Sequence, residues 1–145
     1  MVFKETIKIK PNYFIEKIDK GIDPKVKSYV RGKMTDWFYF VNDAEFLSVY
    51  NQLTLPLNVK LQDAWGTRLD KEDWVQSHNH NAMQVIACGL VYLTEGNDTV
   101  FPDLNIKVKP AVGTCLMFSP QTKHQVTFNK SNTPRYSISF NLIKK

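Results

Sequence analysis

The chain has 145 residues, 43% of them hydrophobic and 23% charged, with a formal net charge of +5. That length suits one domain with a real core. No stretch approaches the roughly 20 apolar residues of a membrane-crossing helix, and the start, Met1-Val2-Phe3-Lys4-Glu5-Thr6, lacks the basic-then-apolar pattern of a secretory leader.

A cytoplasmic protein is expected on those grounds. Residues 3–10 alternate as a strand does, with Phe3, Ile7 and Ile9 apolar and Lys4, Lys8 and Lys10 between them. Pro11-Asn12 can open a short helix running to Lys20. Residues 36–41 are aromatic and strand-like. Asn42 or Asp43 can cap a helix that carries Phe46, Leu47, Tyr50 and Leu53, and spacings of 3 and 4 would place those four on one buried stripe.

From there the pattern turns to strands. Residues 59–65 alternate, and residues 85–93 are nearly all apolar, as in a strand buried on both faces. Short strands at 99–101, 106–108, 114–118, 124–128 and 136–142 follow, separated by Pro, Gly and Asn turns. Cys88 and Cys115 lie inside apolar runs and are read as buried free thiols. One or two helices followed by about eight strands suggest a mainly β fold, a double-stranded β-helix (jelly roll) buttressed by N-terminal helices. A single domain, 1–145, is expected, with 1–55 as helix-containing support and 56–145 as the β core.

Nine of the 19 lysines and arginines precede position 35. Such a surface could attract nucleic acid or another acidic partner. No compact basic block is interleaved with aromatics, so solvated lysines are the plainer reading and a nucleic-acid partner is unsupported at this level.

The three histidines of the chain carry the functional signal. His78 and His80 are two apart, and if residues 76–81 form a strand they share one face. His124 can join them from a neighbouring strand. Arg135 follows eleven residues later, in Arg135-Tyr136-Ser137-Ile138-Ser139. This order suggests an iron centre with an anionic cosubstrate beside it.

Several further pieces stand in order. They are Ala64-Trp65, His78-Asn79-His80, Cys88-Gly89-Leu90-Val91-Tyr92-Leu93, Gly96-Asn97-Asp98-Thr99-Val100-Phe101, Pro110-Ala111-Val112-Gly113, Phe118-Ser119-Pro120, His124-Gln125-Val126 and the Arg135 run through Asn141. From Leu61 to Asn141 the chain resembles the iron(II)- and 2-oxoglutarate-dependent oxygenases, most of all a small branch common in phages and bacteria. The resemblance implies a dioxygenase that uses O2 and 2-oxoglutarate to hydroxylate a substrate the sequence does not identify.

It also implies site roles. His78, His80 and His124 would hold Fe(II), although relatives commonly have a carboxylate where His80 stands. Two other arrangements stay open. One takes His80 as first ligand with Ala82 at the carboxylate position, as in iron halogenases; the other recruits Asp98 or Asp103. Arg135 would bind the far carboxylate of 2-oxoglutarate, with Ser137 and Tyr92 as helpers and Asn141 as a weaker candidate. Trp74 is the aromatic expected at the substrate mouth, and Gln76 and Asn79 are candidates to orient the histidines. The rival functions are a non-catalytic jelly-roll binding module and a cupin-like three-histidine dioxygenase that does not use 2-oxoglutarate.

Overall fold

The computed structural model describes residues 1–82 and 84–145. Two antiparallel sheets face each other. In chain order the strands are β1 (Val2–Thr6), β2 (Val30–Arg31), β3 (Lys33–Met34), β4 (Val59–Leu69), β5 (Trp74–His78), β6 (Val85–Tyr92), β7 (Thr99–Phe101), β8 (Ile106–Val108), β9 (Thr114–Phe118), β10 (His124–Val126) and β11 (Arg135–Lys144). The major sheet has the order β1-β9-β6-β11-β4-β3 and the minor sheet β2-β5-β10-β7-β8. This is the expected jelly roll.

The helices are α1 (Pro11–Gly21) and α2 (Ala44–Tyr50). Pro11 pre-sets the first turn of α1. Asp43 caps α2, its Oδ1 accepting from the Phe46 amide at 2.9 Å. Both helices cover the outer face of the major sheet. Phe14 and Ile18 of α1 and Phe46 and Val49 of α2 share one core with Ala64 of β4, Val91 of β6 and Ile138 and Phe140 of β11. Ala64 and Gly66 are small where α1 crosses β4, and a Cβ at Gly66 would run into Ile18.

Side-chain alternation sends the other residues of those strands inward. Register aligns them in rows across β4, β11 and β6: Asp63–Asn141–Cys88, then Trp65–Ser139–Leu90, then Thr67–Ser137–Tyr92, with Arg135 beside Leu69 at the far end. Toward β9 the space between the sheets is apolar, filled by Cys88, Leu90, Tyr92, Phe101, Leu116 and Phe118. Toward β4 it stays open as a cleft.

Several expectations need correction. The first strand ends at Thr6 and not at residue 10, and β4 runs on to Leu69. Residues 37–42 are consecutive turns, not a strand: the Asp36 carboxylate accepts from the Phe38 amide, and Val41 and Asp43 donate to Phe38 and Phe40. Phe40 is buried between α1 and α2, against Phe14 and Phe46, while Phe38 is exposed; satisfied turns allow this as well as a ladder does. The α2 stripe uses Val49, with Phe46, Tyr50 and Leu53, and leaves Leu47 outside the core cluster. β5 stops at His78, so His80 lies beyond the strand. Both cysteines are free and buried. No helix among the described residues is long and apolar enough to cross a membrane.

Candidate metal centre and anion cleft

β5 and β10 pair with a bulge between two positions: Val126 faces Val75 and His124 faces His78. Three steps on β5 therefore match two on β10, which turns both Val75 and His78 toward the cleft. His80 is tied down by its own amide, which donates to the Pro120 carbonyl at 2.8 Å just before β10. The result brings together the three histidines that the sequence singled out. One ring nitrogen from each lies within 4.8 Å of the others.

The ring orientations are fixed from behind. His78 Nδ1 donates to the Gln76 carbonyl at 2.7 Å, His80 Nδ1 to Asn141 Oδ1 at 2.8 Å, and His124 Nδ1 to the Thr122 carbonyl at 3.2 Å. Each acceptor demands the proton on Nδ1, so each Nε2 presents a bare lone pair. His78 Nε2 and His80 Nε2 are 3.2 Å apart. Two such lone pairs repel and cannot hydrogen-bond to each other. A metal ion would resolve this, since nitrogens about 2.0–2.1 Å from one ion and at right angles lie about 3 Å apart. Burial pushes the pKa of His78 down to about 4 and that of His124 down to about 3; His80 is also lowered by burial, against the pull of Asn141. All three are held as neutral imidazoles, the form that binds metal.

Asp63 was not foreseen. It faces Asn141 across β4 and β11 and is, among the described residues, the sole acidic side chain lining the cleft. Burial raises its pKa, and side-chain hydrogen bonding from Asn141 works against that rise; its Oδ1 has no partner. A carboxylate on one side and His80 on the other leave the Asn141 amide one orientation. The NH2 faces Asp63 and the oxygen faces His80 Nδ1. In this arrangement an ionised Asp63 favours the Nδ1–H tautomer of His80 through Asn141. No local motif could reveal this, because the three residues meet only through strand register.

At the other end of the cleft Arg135 is 2% exposed. Its Nε donates to the Asn97 carbonyl at 3.0 Å and Nη2 to Thr99 Oγ1 at 3.1 Å. Tyr92 lies beneath the guanidinium, 5.5 Å from ring centroid to Cζ, and its hydroxyl shares a 2.6 Å hydrogen bond with Thr99. Among the described residues no carboxylate is in ion-pair contact with Arg135. Burial lowers its pKa to about 10, opposed by Tyr92 and Asp98, so it stays a cation at neutral pH. A buried cation held by neutral oxygens alone is costly, and a bound anion would offset that cost.

The two ends are in register. Thr99, which contacts Arg135, pairs with Val126, two residues from His124 on β10. Two strand residues span about 6–7 Å. The cleft between them has a volume of about 320 Å³, within the usual range for a small-molecule site. Ser137 and Ser139 line its floor.

The remaining candidates fall out as follows. Tyr92 is fully buried and touches the anion end only through Arg135 and Thr99. Asn141 serves His80 rather than the Arg135 end. Gln76 orients His78 with its backbone carbonyl, while its side chain accepts from Arg31. Asn79 accepts from the Asn81 amide and lines the cleft. Asp98 and Asp103 do not join the histidine cluster, and Ala82 lines the cleft without a donor to offer. Trp74 packs on Phe128 outside the cleft. The aromatic at the mouth is instead Tyr29, stacked on His78 at 4.7 Å; deeper in the cleft Trp65 is stacked on His80 at 6.0 Å, with Trp37 edge-on to Trp65.

No family model and no curated protein sequence matches the chain, so likeness rests on fold. The fold is similar to a viral collagen prolyl hydroxylase from Paramecium bursaria Chlorella virus-1, solved with 2-oxoglutarate, at 20% identity and a TM-score of 0.68, covering 99% of this chain and 96% of that one. A Pseudomonas putida prolyl-4-hydroxylase aligns at 12% identity and a TM-score of 0.74, covering 99% and 92%. HygX from Streptomyces hygroscopicus, solved with nickel, 2-oxoglutarate and hygromycin B, aligns at 12% identity and a TM-score of 0.70, covering 99% and 83%. The chain has the jelly-roll fold of these oxygenases.

Proposed function

We propose that this protein is an iron(II)- and 2-oxoglutarate-dependent dioxygenase that hydroxylates its substrate. One observation carries the reading: three neutral, pre-oriented histidines and one buried, carboxylate-free arginine line opposite ends of the same cleft. His78, His80 and His124 would hold the metal on one side, leaving positions open for ligands from the cleft. Iron(II) with 2-oxoglutarate and O2 supplies oxidation of a C–H bond, with release of succinate and CO2. The chain's own part is binding and orientation. Arg135 receives the distal carboxylate of the cosubstrate, with Ser137 as an added hydroxyl donor and Tyr92 and Thr99 holding the guanidinium in place. Trp65 and Leu90 wall off the floor between the two ends. The fold likeness supports the same chemistry, since two of the relatives above were solved with 2-oxoglutarate.

The test is succinate formation by the purified chain supplied with Fe(II), 2-oxoglutarate and O2. Slow uncoupled turnover without substrate is the expected result, abolished by His124→Ala. Absence of both 2-oxoglutarate binding and turnover in the iron-loaded chain would overturn the reading. The ligand set itself favours a second reading, a cupin-like three-histidine dioxygenase without 2-oxoglutarate. That reading has no use for the bare guanidinium of Arg135. A cytoplasmic location is our further inference, supported by two buried cysteines that form no disulfide.

A further inference from the structure

The metal end of the cleft opens beneath a strap, residues 22–35, between α1 and the turns before α2. A bridge between Ile22 and Thr35 closes its base, and β2 within it pairs with β5 at the edge of the minor sheet. Its side chains alternate: Lys25, Lys27, Tyr29 and Arg31 are exposed, while Val26, Ser28 and Val30 are half-buried. Between Asp23 and Asp36 the strap holds four cations and no acid. Only Lys33 is neutralised, by Asp70 at 2.8 Å. Lys25 and Lys27 have no ion-pair partner among the described residues, and Arg31 is held by neutral oxygens alone, the Ser28 carbonyl at 3.2 Å and Gln76 Oε1 at 3.1 Å. Tyr29 lies at the mouth itself, 47% exposed and nearly parallel to His78, with 10° between the rings.

Amides follow the histidines in the chain: Asn79 lines the cleft, and next to it Asn81 Oδ1 accepts from Gln121 Nε2 at 3.4 Å. The chain after Asp103 carries seven lysines and arginines and no acid, so nothing in that segment opposes the charge of the strap. The strap therefore offers separated cations beside the mouth, and the mouth itself a flat exposed ring and the Asn79 amide. These suit phosphates, a stacked base and base edges respectively. An acidic peptide would use the cations but has no regular use for a flat ring. A duplex keeps its base faces covered and is too wide for the cleft.

We propose that this mouth binds single-stranded nucleic acid as the substrate class, with phosphates on Lys25, Lys27 and Arg31 and a base on Tyr29. The proposal rests on the dioxygenase reading for what happens to the bound strand. Its binding needs neither iron nor 2-oxoglutarate, so the two can fail separately. The probe is a fluorescein-labelled 12-nucleotide single strand of mixed sequence, as DNA and as RNA, titrated with the metal-free chain and followed by anisotropy at several salt concentrations. The two arms report which sugar is preferred, and binding of either supports the proposal. Binding should weaken steeply with salt. The triple variant Lys25→Gln, Lys27→Gln, Arg31→Gln should bind at least tenfold more weakly and lose about 2 from the log–log salt slope, given about 0.7 per phosphate contact on a single strand. Tyr29→Ala should weaken binding severalfold without changing that slope. Circular dichroism melts of each variant exclude unfolding as the cause. Equal affinity of the triple variant and the parent would overturn the proposal. So would a blunt duplex that binds as tightly as the single strand, or a polyglutamate peptide of equal charge that competes as well as unlabelled oligonucleotide.

Discussion

At the scale of single residues the two ends of the cleft make separable predictions. Removing one partner of a desolvated charged pair costs about 2–5 kcal/mol. Arg135→Ala should therefore weaken 2-oxoglutarate binding more than tenfold, at about 1.4 kcal/mol per decade. Arg135→Lys should recover only part of this, because an ammonium cannot make the two-pronged contact. Metal affinity should stay nearly unchanged in both, because the guanidinium contacts Asn97 and Thr99 and not the histidines. Anaerobic calorimetry with iron present measures each quantity, and equal 2-oxoglutarate affinity in parent and Arg135→Ala would sink the cosubstrate assignment. Asp63→Ala is the complementary case. Freed of its carboxylate neighbour, the Asn141 amide can turn over and His80 can shift its proton to Nε2. Groups behind metal ligands typically contribute 10–100-fold in affinity, so roughly tenfold weaker Ni(II) or Fe(II) binding is expected with 2-oxoglutarate contacts intact. Unchanged metal affinity would show that Asp63 has no part in orienting His80. His78, His80, His124 and Arg135 were legible in the sequence because they are scarce residue types in a telling order. Asp63, Thr99 and Tyr29 were not, since their roles depend on which strands become neighbours.

At the scale of elements the apolar patterns located most strands, and failures came where side chains satisfy the backbone locally. Residues 36–41 carry the aromatic content of a strand, yet Asp36 closes a turn on Phe38 and Phe40 alone is fully buried, against Phe14 of α1 and Phe46 of α2. The histidine pair is a second case. A continuous strand through His80 would have given the common face, but the structure reaches the same convergence with a bulge at His78 and a loop pinned to Pro120. The long apolar run of β6 is buried on both faces from Cys88 on, as read, although Ile86 is exposed, and Gly89 within it has a specific task. A Cβ there would run into the ring of Phe140 on β11, which in turn packs on Phe46 and Tyr50 of α2. Overpacking of this kind costs about 1–3 kcal/mol. Gly89→Ala should lower the urea-unfolding free energy by that amount. A change below about 0.5 kcal/mol would mean that the α2 layer yields easily and is not held by this contact.

At the scale of the whole molecule the metal site and the stability of the fold are linked through protons. His78 and His124 titrate at about 4 and about 3 in the folded chain, and His80 is lowered too, whereas an unfolded histidine titrates near 6.5. Because the folded values are depressed, their contribution to stability is fully present above about pH 6.5. It is lost as pH falls through about 4 and 3. Across that window each histidine that is charged only in the unfolded chain lowers stability by about 1.4 kcal/mol per pH unit. The metal-free protein should therefore melt at progressively lower temperature from pH 7 to pH 5. A metal that binds only the folded chain adds about 2.7 kcal/mol at one hundred times its Kd, so Ni(II) or anaerobic Fe(II) should raise Tm at pH 7. The gain should persist down to pH 5, because the imidazoles stay neutral in the folded chain there and protonation of the unfolded chain lowers the melting curves with and without metal alike. An all-imidazole set also gives a dication less charge compensation than a set with a carboxylate. Affinity below that of a site with a carboxylate ligand is expected, and Asp63, behind Asn141, can offset only part of the difference. Melting curves at pH 5, 6, 7 and 8, with and without metal, test the linkage directly. A metal-free Tm that is flat from pH 7 to pH 5 would show that the histidines are not held neutral in the fold, and a metal-induced gain that vanishes by pH 5 would show that protons reach the ligands in the folded chain.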